Sequence, residues 1–462
     1  MRQDGRGSGI ARRGRNGGAP SRPAEDGGAE AQTGYPLWLL SLAAVGAAAI
    51  GGTAITLFSS LGRRPPETWA TDAPEVGSRD FLLSVSGMIN APLSEGGSAR
   101  LLKNGVQIYP AILRALREAR ETINFMVYIW EPGRVSDDVF DALVERARAG
   151  VQVRLVLDAV GAMRAPKERI EELERAGGKV AWFRTFKFGR MTRYYRRNHR
   201  RAIVVDGRVG FTGGAAVADY WMGTPGEGRW RDNMVQVDGC LAGNLQSAFA
   251  EVWASTCGEI LMGPSFFPPE PGGGDTGESL TYHLNVTSSP ASDTYPLRLL
   301  FWSSFRCARK RLYVTSAYFV PDRDLRTVLC QAARAGVDVR VLVPDEHNDM
   351  PPVRLAGNAM YSELLQAGVR IYEYQGAMLH AKTFVVDGTW SVVGSANMDI
   401  RSRELNLENV LGILDEGFAR EMEETFMEDL EHAREITLED WEGRSAWHHV
   451  REAFWGMFAE QY

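Results

Sequence analysis

The chain has 462 residues, 44% of them hydrophobic and 24% charged, which is enough for two domain-sized cores. A net charge of -6 gives no overall signature of a nucleic-acid binder. Its four cysteines, Cys240, Cys257, Cys307 and Cys330, show no metal-site spacing.

Residues 1–34 are rich in Gly, Arg, Ala and Pro with few large apolar side chains, which predicts a disordered leader. From Pro36 to Phe58 run 23 uncharged positions, with Trp38 near one end and Arg63-Arg64 beyond the other. As a helix this stretch is about 34 Å long, enough to cross a hydrocarbon layer of about 30 Å. The leader is long and the span exceeds an ordinary signal core, so 35–60 reads as a single transmembrane anchor rather than a cleaved signal. The leader holds six arginines against four acidic residues. The positive-inside tendency then places it in the cytoplasm and the remainder of the chain outside. A Pro-containing connector covers 61–84.

A first α/β half spans 85–263. Ile123 to Trp130 and Leu155-Val-Leu157 read as strands, the second led in by Ala147-Arg-Ala-Gly150-Val-Gln-Val-Arg154. From Arg184 to Arg201 there are eight basic residues and no acid, interleaved with Phe186, Phe188, Tyr194 and Tyr195. This is either a solvated loop or a lip that gathers lipid headgroups or nucleic-acid phosphates. It ends in His199-Arg-Arg201-Ala-Ile-Val-Val-Asp206-Gly207, followed by Gly213-Gly214. Residues two apart on a strand point to one face, so His199 and Arg201 can reach one phosphate.

After a Pro- and Gly-rich loop over 264–278, a second half spans 279–415 and repeats the first. Leu312 to Phe319 is its first strand, and Ala333-Arg-Ala-Gly336-Val-Asp-Val-Arg340 leads into Val341-Leu-Val343. The motif returns 181 residues later as His380-Ala-Lys382-Thr-Phe-Val-Val-Asp387-Gly388, then Gly394-Ser395-Ala-Asn397. One such histidine reads as a packed strand residue; two in the same setting read as a site. An imidazole can attack phosphorus or protonate a leaving oxygen, while a lysine and a carboxamide hold the non-bridging oxygens. Neither a metal nor a cofactor is called for. Asp206 and Asp387 end strands before a turn and are expected to bind loop amides. His283, His347, His432 and His448-His449 lack any companion pattern. The tail over 416–462 has helical spacing and carries Trp441, Trp447, Phe454, Trp455 and Phe458. It reads as a packed helix, with an interfacial helix touching lipid as the alternative.

With Leu102-Lys-Asn-Gly105, Tyr128-Ile-Trp130, Trp230-Arg-Asp232, Tyr318-Phe-Val-Pro321 and Asn406-Leu-Glu408, the double motif resembles the phospholipase D superfamily. Within it the chain resembles the bacterial cardiolipin synthases, over roughly residues 85–462. The resemblance implies two duplicated α/β sandwich halves whose motifs meet at a pseudo-two-fold axis, behind one N-terminal membrane helix. It implies a catalytic set of His199, Arg201, Asp206, His380, Lys382, Asp387, Ser395 and Asn397. It adds a carboxylate downstream of each motif, here Asp232 and Glu408, that positions the histidine. One histidine, favoured as His199, becomes a phosphohistidine, and the other acts as general acid and then base. The implied reaction joins two phosphatidylglycerols with release of glycerol at a cell membrane, with no nucleic acid and no obligate protein partner. Alternatives are a phospholipase or nuclease that uses water, or a lipid-binding scaffold without activity. Arg201 stands where the family has lysine, and Ala216 where the second motif has Asn397. Arginine keeps the charge but is a broader fork than a point-like ammonium.

Overall fold

The computed structural model describes Ala70 and residues 72–185, 196–226, 228–269, 282–288 and 295–459. The expected leader and anchor, and the middle of the basic aromatic stretch, lie outside the described residues. Among the described residues no helix is long and apolar enough to cross a membrane.

The earlier part of the chain supplies β1 (Leu93–Glu95), β2 (Ser98–Lys103), β3 (Thr122–Val127), β4 (Gln152–Asp158), β5 (Lys179–Phe183), β6 (Ala202–Val205), β7 (Val209–Gly213) and β8 (Asn233–Asp238). The later part supplies β9 (Tyr282–Ser288), β10 (Arg311–Ser316), β11 (Asp338–Pro344), β12 (Arg370–Tyr374), β13 (Lys382–Val386), β14 (Trp390–Gly394), β15 (Glu408–Leu414) and β16 (Ala433–Ile436). They form a seven-stranded sheet in the order β2-β8-β7-β6-β3-β4-β5 and a nine-stranded sheet in the order β1-β9-β15-β14-β13-β10-β11-β12-β16. Thus the mixed α/β fold is duplicated, as the repeat predicts.

Each half has the same plan. Three parallel strands, β3-β4-β5 and β10-β11-β12, are joined through helices such as Arg134–Arg148 and Arg323–Arg334. Helices on one side and the partner sheet on the other bury both faces, which is why these strands read as unbroken apolar runs. An antiparallel meander follows, β6-β7-β8 and β13-β14-β15, whose first strand carries the motif. The halves meet sheet against sheet: Val204, Val235 and Val237 pack with Val385, Val393, Leu411 and Ile413. Burying each such side chain contributes about 1.5–3 kcal/mol, so this central layer fixes how the two motifs face one another. Helices Cys240–Cys257 and Glu416–Leu430 flank the seam, each touching strands of both sheets.

The halves also exchange material at their edges. A boundary at residue 85 assigns Leu93–Glu95 to the first half, yet β1 pairs with β9 in the second sheet, Leu93 opposite Leu284. The cause lies just upstream. Helix Arg79–Ile89, capped where Ser78 Oγ accepts from the Phe81 amide at 3.2 Å, turns Phe81, Leu82 and Val85 into the second core, and the Phe81 and Trp390 rings lie 5.4 Å apart. Beyond Glu416 the chain alternates helices with β16, which pairs antiparallel with β12.

Asp206 and Asp387 sit at the far ends of the motif strands, seven residues from their histidines and so roughly 20 Å away. Both adopt left-handed backbones, with φ of 51° and 53°. Asp206 accepts the amides of Arg120, Glu121 and Thr122, and Asp387 those of Arg309, Lys310 and Arg311. These carboxylates tie a loop to a strand and lie outside the site.

Candidate active site

The two motifs approach each other through strand-like bridges that cross from one half to the other. His199 N–H donates to the Leu407 carbonyl at 2.8 Å, and Leu407 N–H to the Arg197 carbonyl at 2.9 Å. In the other half His380 N–H donates to the Arg231 carbonyl at 2.7 Å, and Arg231 N–H to the Met378 carbonyl at 2.8 Å. Leu407 and Arg231 immediately precede Glu408 and Asp232, so each bridge delivers a carboxylate to the opposite histidine. His380 Nδ1 lies 2.7 Å from Asp232 Oδ2, and His199 Nδ1 lies 3.3 Å from Glu408 Oε1. The carboxylate downstream of each motif therefore serves the histidine of the other motif, which corrects the pairing within one half that the resemblance suggested. Sequence distance could not reveal this, because the bridges form only after the sheets have docked.

His380 is almost fully buried. Burial, with Lys382 beside it, pulls its pKa down to about 4 against the opposing attraction of Asp232. Burial alone would raise the pKa of Asp232, but His380, Lys382 and the Asn233 amide bring it below its ordinary value. The resting pair is thus a neutral imidazole donating from Nδ1 to a carboxylate, which leaves Nε2 for substrate. Lys382 donates to the His380 carbonyl; burial, followed by Arg201, lowers its pKa to about 7.

Arg201 repeats the lysine's geometry. Its Nη1 donates to the His199 carbonyl at 2.8 Å, as Lys382 does to His380. The guanidinium is buried, which lowers its pKa, and its Nε has no hydrogen-bond partner. Its charge reaches both His380 and Lys382, so the two cations share one site. Asn409 holds it in place, Oδ1 accepting the Arg201 amide at 3.0 Å and Nδ2 donating to its carbonyl at 3.2 Å.

Ser395 donates to Glu408 and so orients that carboxylate. Asn397 is buried, and its Oδ1 has no hydrogen-bond partner. Ala216, at the matching position, is buried, and its carbonyl accepts from Tyr109 Oη at 2.9 Å. Of the supporting residues, Trp221 carried no sequence signal, while Tyr128 and Trp230 stood in quoted stretches without an assigned role. Trp221 Nε1 donates to Asp232 Oδ2 at 2.8 Å; Tyr128 lies with its ring 4.0 Å from that of His199; Trp230 lies 5.1 Å from His380. Asn104, in the left-handed region with φ of 60°, donates its amide to the Asp232 carbonyl at 2.9 Å. Only its place in the quoted Leu102-Lys-Asn-Gly105 stretch hinted at it.

A duplicated sandwich that brings two histidine and cation pairs into one buried, crossed arrangement is the phospholipase D class of fold. Residues 112–253 and 303–430 match the family model described as "Cardiolipin synthase, PLD-like domain". The chain belongs to this family of phosphatidyltransferases, enzymes that act on phospholipids. It is 34% identical over 371 residues to a cardiolipin synthase of Halalkalibacterium halodurans, covering 79% of this chain and 72% of that one. Cardiolipin synthase A of Yersinia pseudotuberculosis is 33% identical over 380 residues, covering 79% and 76%. Among solved structures, phosphatidylserine synthase of Haemophilus influenzae superposes with a TM-score of 0.62 at 15% identity, covering 83% of this chain and 98% of that one, a likeness of fold alone.

Proposed function

We propose that the protein joins two phosphatidylglycerols into cardiolipin and glycerol through a phosphohistidine. His199 Nε2 attacks phosphorus, the bond from phosphorus to the headgroup oxygen breaks, and His380 gives the departing glycerol its proton. His380 then takes a proton from the terminal hydroxyl of a second phosphatidylglycerol. That oxygen attacks phosphorus, and the bond to His199 breaks. Lys382, Arg201 and Asn397 hold the non-bridging oxygens. The empty site keeps His380 neutral, but a phosphodiester beside Lys382 and Arg201 offsets their charge and allows the ring to be protonated. A single-pass anchor over 35–60 keeps the site at the membrane.

The observation that supports this reading most is the crossed pair. Two histidines are each fixed through Nδ1 by a carboxylate from the opposite half, around two buried cations that form no ion pair with those carboxylates. The test uses full-length protein in phosphatidylglycerol vesicles with a chelator present. Equal amounts of cardiolipin and glycerol are expected, with DNA left intact and a quenched lipid adduct mapped to His199. Phosphatidic acid as the sole product would make the enzyme a phospholipase. An adduct on His380 would exchange the two roles.

A further inference from the structure

The C-terminal helix Ala446–Gly456 wears its hydrophobic residues on the outside. At about 100° per residue, Trp447, Val450, Phe454 and Met457 fall within an arc of about 80°. They are 66%, 57%, 49% and 69% exposed. The opposite face holds Glu452, buried and forked by Arg444, and Trp455, which packs against the cluster of Val320, Val353 and Ala356. A helix folded for water carries the reverse pattern. The expected tail is thus divided: Trp441 and Trp455 pack inward, while Trp447 and Phe454 do not.

The position of this stripe matters as much as its composition. The helix lies on helix Pro351–Asn358, with the Gly456 Cβ position 3.2 Å from Ala359 Cβ. That support in turn packs on the backbone of Phe319, next to Tyr318, whose hydroxyl donates to Asp349 at 2.8 Å and lies within electrostatic reach of Arg201. The next residue, Met350, is 43% exposed. Its counterpart in the other half is Met163, 71% exposed, each methionine lying five residues beyond the last aspartate of its strand region, Asp158 or Asp345. The loop of Met163 is pressed onto Tyr128, the residue whose ring lies against that of His199. Each half therefore carries an exposed methionine on the loop that braces Tyr128 or Tyr318.

We infer that this rim, Met163, Met350 and the outer face of the C-terminal helix, docks into the surface of an anionic bilayer. Two features select lipid over a second copy of the chain. The helix presents Arg451 and two histidines around its stripe, while its one carboxylate is already paired, so its outer charge complements an anionic headgroup layer. The site beside it takes phosphatidylglycerol under the proposed function, and the acyl chains of that substrate must stay in the bilayer while its headgroup reaches the histidines. The inference rests on that reading for its substrate but has an independent readout.

The experiment compares full-length wild type with the Trp447→Ser/Phe454→Ser double variant. On phosphatidylglycerol vesicles the variant is expected to turn over roughly tenfold more slowly or worse, because two interfacial anchors are lost. On short-chain phosphatidylglycerol below its micellar concentration, the two proteins should agree within about twofold, since neither residue lies in the site. Equal rates on vesicles, or a parallel loss on both substrates, would overturn the inference. A fluorophore placed by Phe454→Cys in a Cys257→Ser background reads docking without catalysis, and brominated lipids should quench it. Failure of wild type to consume either lipid, with quenching intact, would count against the proposed function and leave the docking standing. No quenching, or burial of the probe by self-association without lipid, would sink the docking itself.

Discussion

His380 and His199 hold the same place in the repeat, but their surroundings differ. The His380 side chain is 6% exposed and 2.7 Å from its carboxylate; that of His199 is 18% exposed and 3.3 Å from its own. The carboxylates are also held differently. Glu408 is oriented by the Ser395 hydroxyl, whereas Asp232, one methylene shorter, takes an indole N–H from Trp221 and the amide of Asn233. Gly214 stands where Ser395 would repeat, and a Cβ there would lie 2.1 Å from Asp232 Oδ1. The first half thus lacks the serine because its own aspartate fills that space on the way to the other half's histidine. Seen this way, Gly214 belongs to an adapted carboxylate holder, and Arg201 places a cation where Lys382 places one. We propose on this geometry that the first motif is a variant of the second and not its decayed remnant.

The largest expected effect tests whether both halves take part. His199→Ala and His380→Ala should each lower cardiolipin formation by roughly a thousandfold or more while thermal unfolding stays cooperative, because each removes one partner of a two-step exchange. Near-normal turnover in either variant would break the equivalence. The crossing of the carboxylates predicts the next effect. Asp232→Asn should lower kcat by roughly a hundredfold or more and, by adduct mapping, impair the step assigned to His380, although it lies in the half of His199. Glu408→Gln should cost less, since its carboxylate stands farther from His199 Nδ1, at 3.3 Å, and makes no hydrogen bond to it. The reverse order would show that the 2.7 and 3.3 Å separations do not rank the two supports.

At the cation, Arg201→Ala should lower kcat/KM by about a hundredfold, and Arg201→Lys should restore most of it, because charge and not the fork is the shared element. An inactive lysine variant would show that the guanidinium plane is needed. The smallest effect is on stability against pH. Since the folded pKa of His380 is below its unfolded value, the folded state binds fewer protons between about pH 6.5 and 4. Stability should therefore fall as pH drops through that window, by about 3 kcal/mol from this group. Urea midpoints measured from pH 7 to 4 should show a shallower decline in His380→Gln. A slope unchanged by that substitution would mean that His380 does not titrate in this window.

Much of this was legible in the chain. The 181-residue repeat gave the duplication, and the alternation of strand residues gave the shared face of each histidine and cation. The aspartate before a glycine turn was readable as a loop binder, and Asp206 and Asp387 are that. Local rules suffice for such features because each depends on residues within one strand and its turn. The exchange of β1 into the second sheet was hidden, since apolar residues at 81, 82 and 85 state that a core is covered but not which one.

What the sequence determined by itself was the inventory of the site: two histidines, a lysine, an arginine, a buried carboxamide and two carboxylates on a repeated scaffold. Tertiary structure alone decided who serves whom. Docking of the two sheets places Asp232 on His380 and Glu408 on His199, leaves the Trp221 indole to hold Asp232 as Ser395 holds Glu408, and buries Lys382 deeply enough to bring its pKa to about 7. The reason is physical: hydrogen bonds and desolvation act through ångströms of space, and the shortest path between these groups runs across the seam, not along the chain.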